Sequence, residues 1–204
     1  MTRLRPATVA ALVLAVSAVA YSAKVGDPAP AFVGTDTKGT VHRLSDFKGK
    51  FVVLEWHNQG CPYVKKHYGS GNMQRLQKAW TAKGVVWLTI ISSAPGTQGH
   101  VTAQQADAYA REQQAAPTAV LLDPSGEIGR AYDAKTTPHM FVISPDGVLV
   151  YNGAIDDKPT TDTADVTTAQ NYVSAALSAA MAGQPVATAA SKPYGCSVKY
   201  ASGT

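Results

Sequence analysis

The sequence predicts a three-layer α/β fold, in which a mixed central sheet is flanked by helices and followed by a C-terminal tail. Apolar, strand-like runs alternate with helical segments along most of the chain, and the alternation ends in two short strands joined by a tight turn. This order is typical of a partly parallel sheet that is covered by helices on both faces. The chain of 204 residues is long enough for one domain with a sizeable core.

The first half of the chain supplies the central strands. Pro28 and Pro30 exclude a helix from residues 25–32, so this N-terminal segment is expected to be extended. Residues 51–56 and 85–91 are almost continuously apolar, which is typical of strands buried on both faces. The predicted elements of this half are strands at 40–44, 51–56 and 85–91, and a helical region over 62–82 that breaks at 69–71.

The second half supplies the closing hairpin. Thr102 can cap a helix, with Gln105 three residues further on as in a capping box. A Ser-Pro-Asp-Gly turn at 144–147 joins two apolar runs, which is a strong hairpin signal. Residues 183–204 lack clear periodicity and form the predicted tail. The predicted elements of this half are helices at 102–114, 128–132 and 165–181, and strands at 118–122, 140–143 and 148–151.

The N-terminus is typical of a secretory signal. Arginines precede an apolar stretch over residues 7–20 that is too short to span a membrane and ends in an Ala-x-Ala pattern. We place the signal at residues 1–20, with cleavage after Ala20 or, alternatively, after Ala23; a retained anchor is the other interpretation. No later apolar run reaches spanning length. The mature protein is therefore expected to be periplasmic or secreted, without stable membrane insertion.

Charge and composition narrow the classes of partner. The net charge of +4 belongs partly to the signal, and the remaining Lys and Arg residues are scattered. No basic stretch alternates with aromatic residues, so the sequence gives no support for nucleic-acid binding. It also predicts no cofactor.

Cys61 and Cys196 are the two cysteines of the chain. Disulfides persist in an oxidising, extracytoplasmic environment, and an even cysteine count fits that setting. Cys61 lies between a predicted strand and a predicted helix, where the helix dipole and free N–H groups favour a thiolate. Lys65 and Lys66, on the following turn, add positive potential. Cys196 lies in the Gly- and Pro-bearing tail, where it can move.

Histidines surround the predicted nucleophile. His57 and His67 flank Cys61, and His139 follows the predicted Thr-Pro turn. A protonated imidazole near Cys61 would lower the thiol pKa, and a neutral one could relay a proton. A surface or packing role is the plainer alternative for each.

The element order, with a cysteine after the first core strand and Thr137-Pro138 just before the hairpin, resembles the thioredoxin fold. The opening Gly-Asp-Pro-Ala-Pro-Ala-Phe at 26–32 is similar to that of the redoxin branch, which includes the alkyl hydroperoxide reductase/thiol-specific antioxidant family. The resemblance covers about residues 24–182 and implies a redoxin domain there. It also implies that Pro138 is a cis-proline beside the reactive Cys61. The expected substrate-binding residues around the site are Trp56, Asn58, Pro62, Tyr63, Thr137 and His139.

The chain departs from the family pattern at three points. Val64 stands where a C-x-x-C motif has its second cysteine, so Cys61 has no neighbouring thiol. Asn58 occupies the place of a peroxiredoxin's threonine, and Pro138 is the nearest match to its peroxide-binding arginine. Asn58 could still donate a hydrogen bond, and His139 could substitute in part. These departures favour a protein disulfide over a small peroxide as the substrate, although only modestly.

Cys196 is the internal candidate to resolve a mixed disulfide formed at Cys61. The tail would have to fold back, because bonded cysteines have Cα atoms within roughly 7 Å of each other. The bond could instead be a permanent staple, or Cys196 could pair with another molecule.

The sequence thus predicts an exported thiol–disulfide oxidoreductase or peroxiredoxin-like antioxidant, with Cys61 as nucleophile, Cys196 as resolving thiol and Pro138 shaping the substrate groove. The electron donor is unknown. Two other classes stay open. One is a copper or zinc site built from His57, Cys61 and His139, with His67 as a further candidate ligand; the other is a redox-silent binding module with a structural disulfide.

Overall fold

The computed structural model describes residues 23–202, so the predicted signal at 1–20 lies outside the described residues. Within residues 23–202 the chain forms nine strands and five α-helices, together with 3₁₀ turns at Leu44–Phe47 and Thr163–Thr167. The strands are β1 (Val33–Asp36), β2 (Val41–Arg43), β3 (Val52–Trp56), β4 (Val86–Ile91), β5 (Ala119–Leu122), β6 (Thr136–Thr137), β7 (His139–Ile143), β8 (Leu149–Gly153) and β9 (Cys196–Ser197). The helices are α1 (Pro62–Gly69), α2 (Asn72–Thr81), α3 (Ala103–Glu112), α4 (Glu127–Ala131) and α5 (Tyr172–Met181).

The main sheet has seven strands in the order β2-β1-β5-β4-β3-β7-β8. Strands β3, β4 and β5 run parallel, whereas β1 and β7 join them antiparallel on either side. Two apolar clusters fill the two faces of the sheet. Leu54 belongs to one and Val53 to the other, because successive side chains of a strand point to opposite faces. The predicted fold class is confirmed.

Local sequence signals explain most element boundaries. The capping box that starts α3 is present, with reciprocal bonds between Thr102 and Gln105. The helical region over 62–82 breaks at Ser70-Gly71, where Gly71 adopts a positive φ of 71°. The hairpin of β7 and β8 pairs Met140 with Gly153 and Val142 with Tyr151. Among residues 23–202, no helix is long and apolar enough to cross a membrane.

One expectation about the elements is wrong. The single helix predicted over 165–181 is a 3₁₀ turn and a separate α5, because the Asn171 side chain accepts a hydrogen bond from the backbone N–H of Ser174 at 2.8 Å and caps a new helix. Strand β1 is an element for which the sequence carried no prediction. The predicted tail after residue 183 contains the short strand β9 and pairs with other strands.

The tail crosses one edge of the molecule as a strap, defined here as residues 189–201. Near its start, Ser191 hydrogen-bonds the backbone N–H of Ala154 and the hydroxyl of Tyr151. In its middle, β9 pairs antiparallel with β6. Near its end, the Tyr200 hydroxyl donates to the carbonyl of Ala134 at 2.7 Å. The strap therefore holds Cys196 in a defined place.

Candidate active site

Cys61 is the N-cap residue of α1, directly after the loop that follows β3. Its side chain is completely buried, and its Sγ lies 2.9 Å from the carbonyl oxygen of Thr137, to which the thiol donates. Pro62 occupies the first turn of the helix, where its missing N–H costs nothing. The helix N-terminus thus faces the sulfur, as the sequence predicted.

Thr137 and Pro138 stand against Cys61 from the opposite side. The Thr137–Pro138 peptide bond is cis, which confirms the expectation drawn from the fold resemblance. Both residues are buried, and β6 ends at Thr137. The Cys61 sulfur therefore lies against the carbonyl of Thr137, the residue that precedes the cis-proline.

The strap closes over this gap. Cys196 pairs with Thr137 in the β6–β9 ladder, and its backbone N–H points at the Sγ of Cys61 at 3.5 Å. Both cysteines are free thiols, with Cys61 buried and Cys196 half-buried. The structure therefore shows the reduced pair with the second thiol already beside the first.

The pKa values of the two thiols are shifted in opposite directions. Burial alone would raise the pKa of Cys61, but hydrogen bonds from the side chains of Cys196 and Thr137 and from the backbone N–H groups of Val64 and Cys196 outweigh it, so the pKa of Cys61 is lowered. Burial and the neighbouring Cys61 raise the pKa of Cys196 to about 11. Cys61 is therefore the more acidic thiol of the pair, and the Cys196 thiol can donate to it once Cys61 has lost its proton.

A polar network anchors Tyr194, two residues before Cys196. The Tyr194 hydroxyl donates to Asp156 and lies 3.1 Å from Nε2 of His67. Its ring packs beside Tyr63, with centroids 5.7 Å apart, and the Nζ of buried Lys66 lies 5.8 Å from the ring centroid. The sequence analysis offered Lys66 as a source of positive potential for the thiol and His67 as a flanking candidate; the structure places both beside Tyr194 of the tail.

A buried carboxylate lies below the site and was not singled out in the sequence. Glu55, in β3, is completely buried and accepts hydrogen bonds from Tyr68, Gln77, Trp87 and Thr89. Burial opposes its charge, but the bonds and the neighbouring His57 outweigh that, so the pKa of Glu55 is lowered. The available signal was the single charged residue inside the apolar run at 51–56.

His57 lies beside that carboxylate rather than facing open solvent. Its Nδ1 is 3.7 Å from a Glu55 oxygen, and its ring packs between Tyr68 and Tyr109 at centroid distances of 5.0 and 5.1 Å. A small enclosed cavity adjoins His57, Tyr68, Thr89 and Tyr109. The predicted place of His57 near the end of β3 is correct, but its contacts are with the core.

Three residues expected at the rim of the site, Trp56, Asn58 and His139, are buried instead. Trp56 is fully buried in the core, where its indole N–H donates to Ser92 at 3.0 Å. Asn58 is 1% exposed, and its amide binds Gln98 and the backbone N–H of Gly60. Both faces of the central strand are covered, so an aromatic residue in β3 packs inward whichever way it points.

Both ring nitrogens of His139 have hydrogen-bond partners away from Cys61. One ring nitrogen contacts the Asn152 side-chain oxygen at 2.8 Å, and the other lies 3.2 Å from the backbone N–H of Lys135. Burial lowers the pKa of His139 to about 4, so the ring is neutral at pH 7. The expectation that His139 and Asn58 could polarise a peroxide is therefore wrong, because their polar atoms already have partners.

The remaining rim residues do surround the strap. Pro62 is exposed and Tyr63 is half-buried against Tyr194. Thr137 contacts the strap directly, since its hydroxyl lies 3.5 Å from the carbonyl of Cys196. The structure thus brings Pro62, Tyr63 and Thr137 together beside Cys61.

The alternative metal site is not supported by the structure. Within residues 23–202, no group of three or more His, Cys, Asp or Glu side chains is arranged to hold a metal ion. His57 packs on Glu55, and His139 is turned toward Asn152. The predicted trio of His57, Cys61 and His139 is therefore not assembled.

The sequence of the chain is similar to a known protein family and to several named proteins. Residues 25–152 match the model of the AhpC/TSA family. The thiol-disulfide oxidoreductase ResA of Bacillus subtilis is 31% identical over 136 residues, which is 67% of this chain and 70% of that protein. The ResA of Geobacillus kaustophilus is 28% identical over 60% of this chain, and the match spans 65% of that relative's length, slightly less than two thirds.

A solved structure extends the likeness beyond the matched family region. An uncharacterized conserved protein from Geobacillus kaustophilus superposes with a TM-score of 0.74 at 28% identity. The superposition covers 89% of this chain and 95% of that protein. Its coverage exceeds that of residues 25–152 alone, so the shared architecture includes segments after β8.

Proposed function

The chain belongs to the AhpC/TSA family of thioredoxin-fold redoxins, and we propose that it is an exported thiol–disulfide oxidoreductase in which Cys61 is the nucleophile and Cys196 the resolving thiol. One observation carries the proposal: the strap sets the N–H of Cys196 3.5 Å from the Sγ of Cys61, opposite Pro138. The relatives named thiol-disulfide oxidoreductases support the same reaction class.

In the first step, the Cys61 thiolate attacks one sulfur of a partner disulfide. A bond forms between Cys61 and that sulfur while the partner's S–S bond breaks, and the departing partner thiolate takes up a proton. The lowered pKa of Cys61 supplies the thiolate, and the helix N-terminus stabilises it until attack.

In the second step, Cys196 loses its proton and attacks the Cys61 sulfur. The mixed disulfide breaks, the second partner thiolate leaves and is protonated, and a Cys61–Cys196 disulfide remains. Two electrons have passed from the cysteine pair to the partner. An external dithiol must then reduce the pair, and the same steps in reverse would oxidise a partner instead.

A protein disulfide is the better supported substrate. Thr137 pairs with a strand through its backbone, so the site accepts an extended polypeptide beside Cys61. The polar atoms of Asn58 and His139, the two candidates for polarising a peroxide, already have partners within the protein. Export is supported by the signal-like N-terminus and is compatible with the even number of cysteines in the chain.

The test compares the reduction of a protein disulfide and of hydrogen peroxide by the wild-type protein and by its Cys61→Ser and Cys196→Ser variants. We expect Cys61→Ser to abolish turnover with the disulfide. Cys196→Ser should complete the first step and stall as a mixed disulfide, visible as added mass that dithiothreitol removes. Turnover by Cys61→Ser, or peroxide reduction faster than disulfide reduction, would contradict the proposal.

A structural disulfide is the competing role for the same pair, and its reduction potential separates the two. A staple in an exported protein has a potential below about −300 mV, whereas a working pair is more oxidising. The strap is held near Cys61 by long contacts of 3.5 Å, which supports the redox role.

A further inference from the structure

The strap lies in the place where the proposed substrate would have to bind. A partner disulfide can be attacked only if its segment reaches Cys61 beside Thr137, and Cys196 now occupies that register. The reacting sulfur of a partner must therefore replace the sulfur of Cys196, with the partner's neighbouring residues in the places of Tyr194 and Gly195. The contacts of those two residues show which neighbours the groove accepts.

The place of Tyr194 is built for a phenol hydroxyl. The Asn72 side-chain amide donates to Nδ1 of His67 at 2.9 Å, which leaves the histidine proton on Nε2. That Nε2–H faces the Tyr194 oxygen at 3.1 Å, and the hydroxyl in turn donates to Asp156. The pocket thus offers one donor and one acceptor, which is what a phenol needs and what a phenyl ring cannot use.

The pocket is charged and largely closed. His67, Asp156 and Lys66 are each 2% exposed or less, and burial lowers the pKa of His67 to about 4. The ring itself rests against Tyr63 and under the ammonium of Lys66. If the hydroxyl were missing, His67 and Asp156 would be left buried without it, and the cost of such unpaired groups gives strong discrimination.

The place of Gly195 admits no side chain. Gly195 has a φ of 138°, and a Cβ built on it would overlap the carbonyl oxygen of Thr137. A residue at this position of a bound segment is therefore required to be glycine by both conformation and space.

Cys196 itself is the weakly held residue of the strap. The β6–β9 ladder has two residue pairs, and the contacts of Cys196 to Cys61 and Thr137 are both 3.5 Å long. Shorter contacts lie on either side of it, at Ser191, Tyr194, Val198 and Tyr200. A competing segment can therefore enter at the centre once the Tyr200 end is released.

From these contacts we propose that the partner protein presents an extended segment with tyrosine, glycine and the reacting cysteine in succession, and that the pocket of Tyr63, Lys66, His67 and Asp156 is the specificity site that reads its tyrosine. Tyr194-Gly195-Cys196 of the strap is the internal stand-in for that segment. The inference rests on the proposed function, because it presumes that Cys61 attacks a partner disulfide.

The experiment uses the full chain with Tyr194→Ala and Cys196→Ser, which empties the pocket and prevents resolution. The probes are eight-residue peptides copied from residues 192–199, each with its cysteine joined to 5-thio-2-nitrobenzoate. The Cys61 thiolate attacks the peptide sulfur, a Cys61–peptide disulfide forms, and the coloured thiolate leaves, so the rate is read by absorbance. The peptide tyrosine is kept, or replaced by phenylalanine or alanine; in a fourth peptide the glycine is alanine.

We expect the tyrosine peptide to react at least about tenfold faster than the phenylalanine peptide, and alanine in either position to be slower still. In a variant that also carries Asp156→Asn, the tyrosine-to-phenylalanine ratio should fall severalfold, because a neutral acceptor makes a weaker bond. The single variant Cys196→Ser, which keeps the strap intact, should rank the peptides in the same order if the double variant does not fold.

Equal rates for the four peptides, with Cys61 reacting readily, would overturn the specificity site and leave the proposed function standing. If none of the peptides reacts, the proposed function fails together with the inference. If the wild-type protein forms dimers linked between Cys61 and Cys196 and the peptides do not compete with them, the groove serves a second copy of the chain and the inference is wrong.

Discussion

The sulfur of Cys61 is bounded by two regions that differ in how firmly they are held. On one side lies the scaffold of β3 and α1, in which Glu55 makes four buried hydrogen bonds and the surrounding side chains are closed to solvent. On the other side lies the strap, which is half-buried and whose Cys196 contacts the site at distances of 3.5 Å. The scaffold fixes the nucleophile, and the loosely held strap allows partner and resolving thiol to alternate.

The largest expected effect on stability comes from removing the buried carboxylate of the scaffold. Glu55→Ala leaves four buried donors without their acceptor, so we expect the free energy of unfolding to fall by about 3 kcal/mol. Urea denaturation measures it. The matched control is Glu112→Ala, an exposed glutamate at the end of α3, which should change stability by less than about 0.5 kcal/mol. Equal effects of the two variants would show that the scaffold is no firmer than the surface.

A substitution at Gly195 should displace the strap without changing the packing of the scaffold. In Gly195→Ala the new Cβ meets the Thr137 carbonyl at a strained φ, so the centre of the strap must move away from Cys61. We expect the rate of Cys61–Cys196 disulfide formation with oxidised glutathione to fall at least about tenfold, since a displacement of about 1 Å at a reacting centre can cost a hundredfold.

The urea midpoint of Gly195→Ala should stay close to that of the wild type, because the strap's end contacts remain. Gly69→Ala is the control, since a Cβ there meets nothing within 4 Å. Unchanged disulfide formation in Gly195→Ala would show that the strap does not need its present register.

The scaffold was largely predictable from the sequence, and the strap was not. The runs at 51–56 and 85–91 are so apolar that their burial can be predicted without knowing which strands they pair with. The cap of α3 is equally local, because Thr102 and Gln105 are three residues apart. Strands β6 and β9 contain two residues each and exist only because they pair with one another across the chain. No local pattern encodes such a pairing.

The positions of Cys61 and of Thr137-Pro138 could be predicted from the sequence, whereas the pocket around Tyr194 could not. A cysteine between strand and helix, facing Thr137-Pro138, follows from the fold position. The pocket of Tyr194 depends on long-range packing of α1 against the segment after β8, and no local pattern places His67 beside Tyr194. Glu55 carried a usable signal, since a charge in an otherwise apolar central strand needs buried partners.

The smallest expected effect is also the most direct test, because it measures the asymmetry of the two thiols themselves. Reduced wild-type protein is alkylated over a range of pH, and the modification of each cysteine is followed by mass spectrometry. Cys61 should titrate below the ordinary thiol value of about 8.5. Cys196 should titrate well above it, toward about 11. In Cys196→Ala the midpoint of Cys61 should rise, because the donating thiol is lost. Coincident midpoints, or a Cys61 midpoint above that of Cys196, would contradict the assignment of nucleophile and resolving thiol.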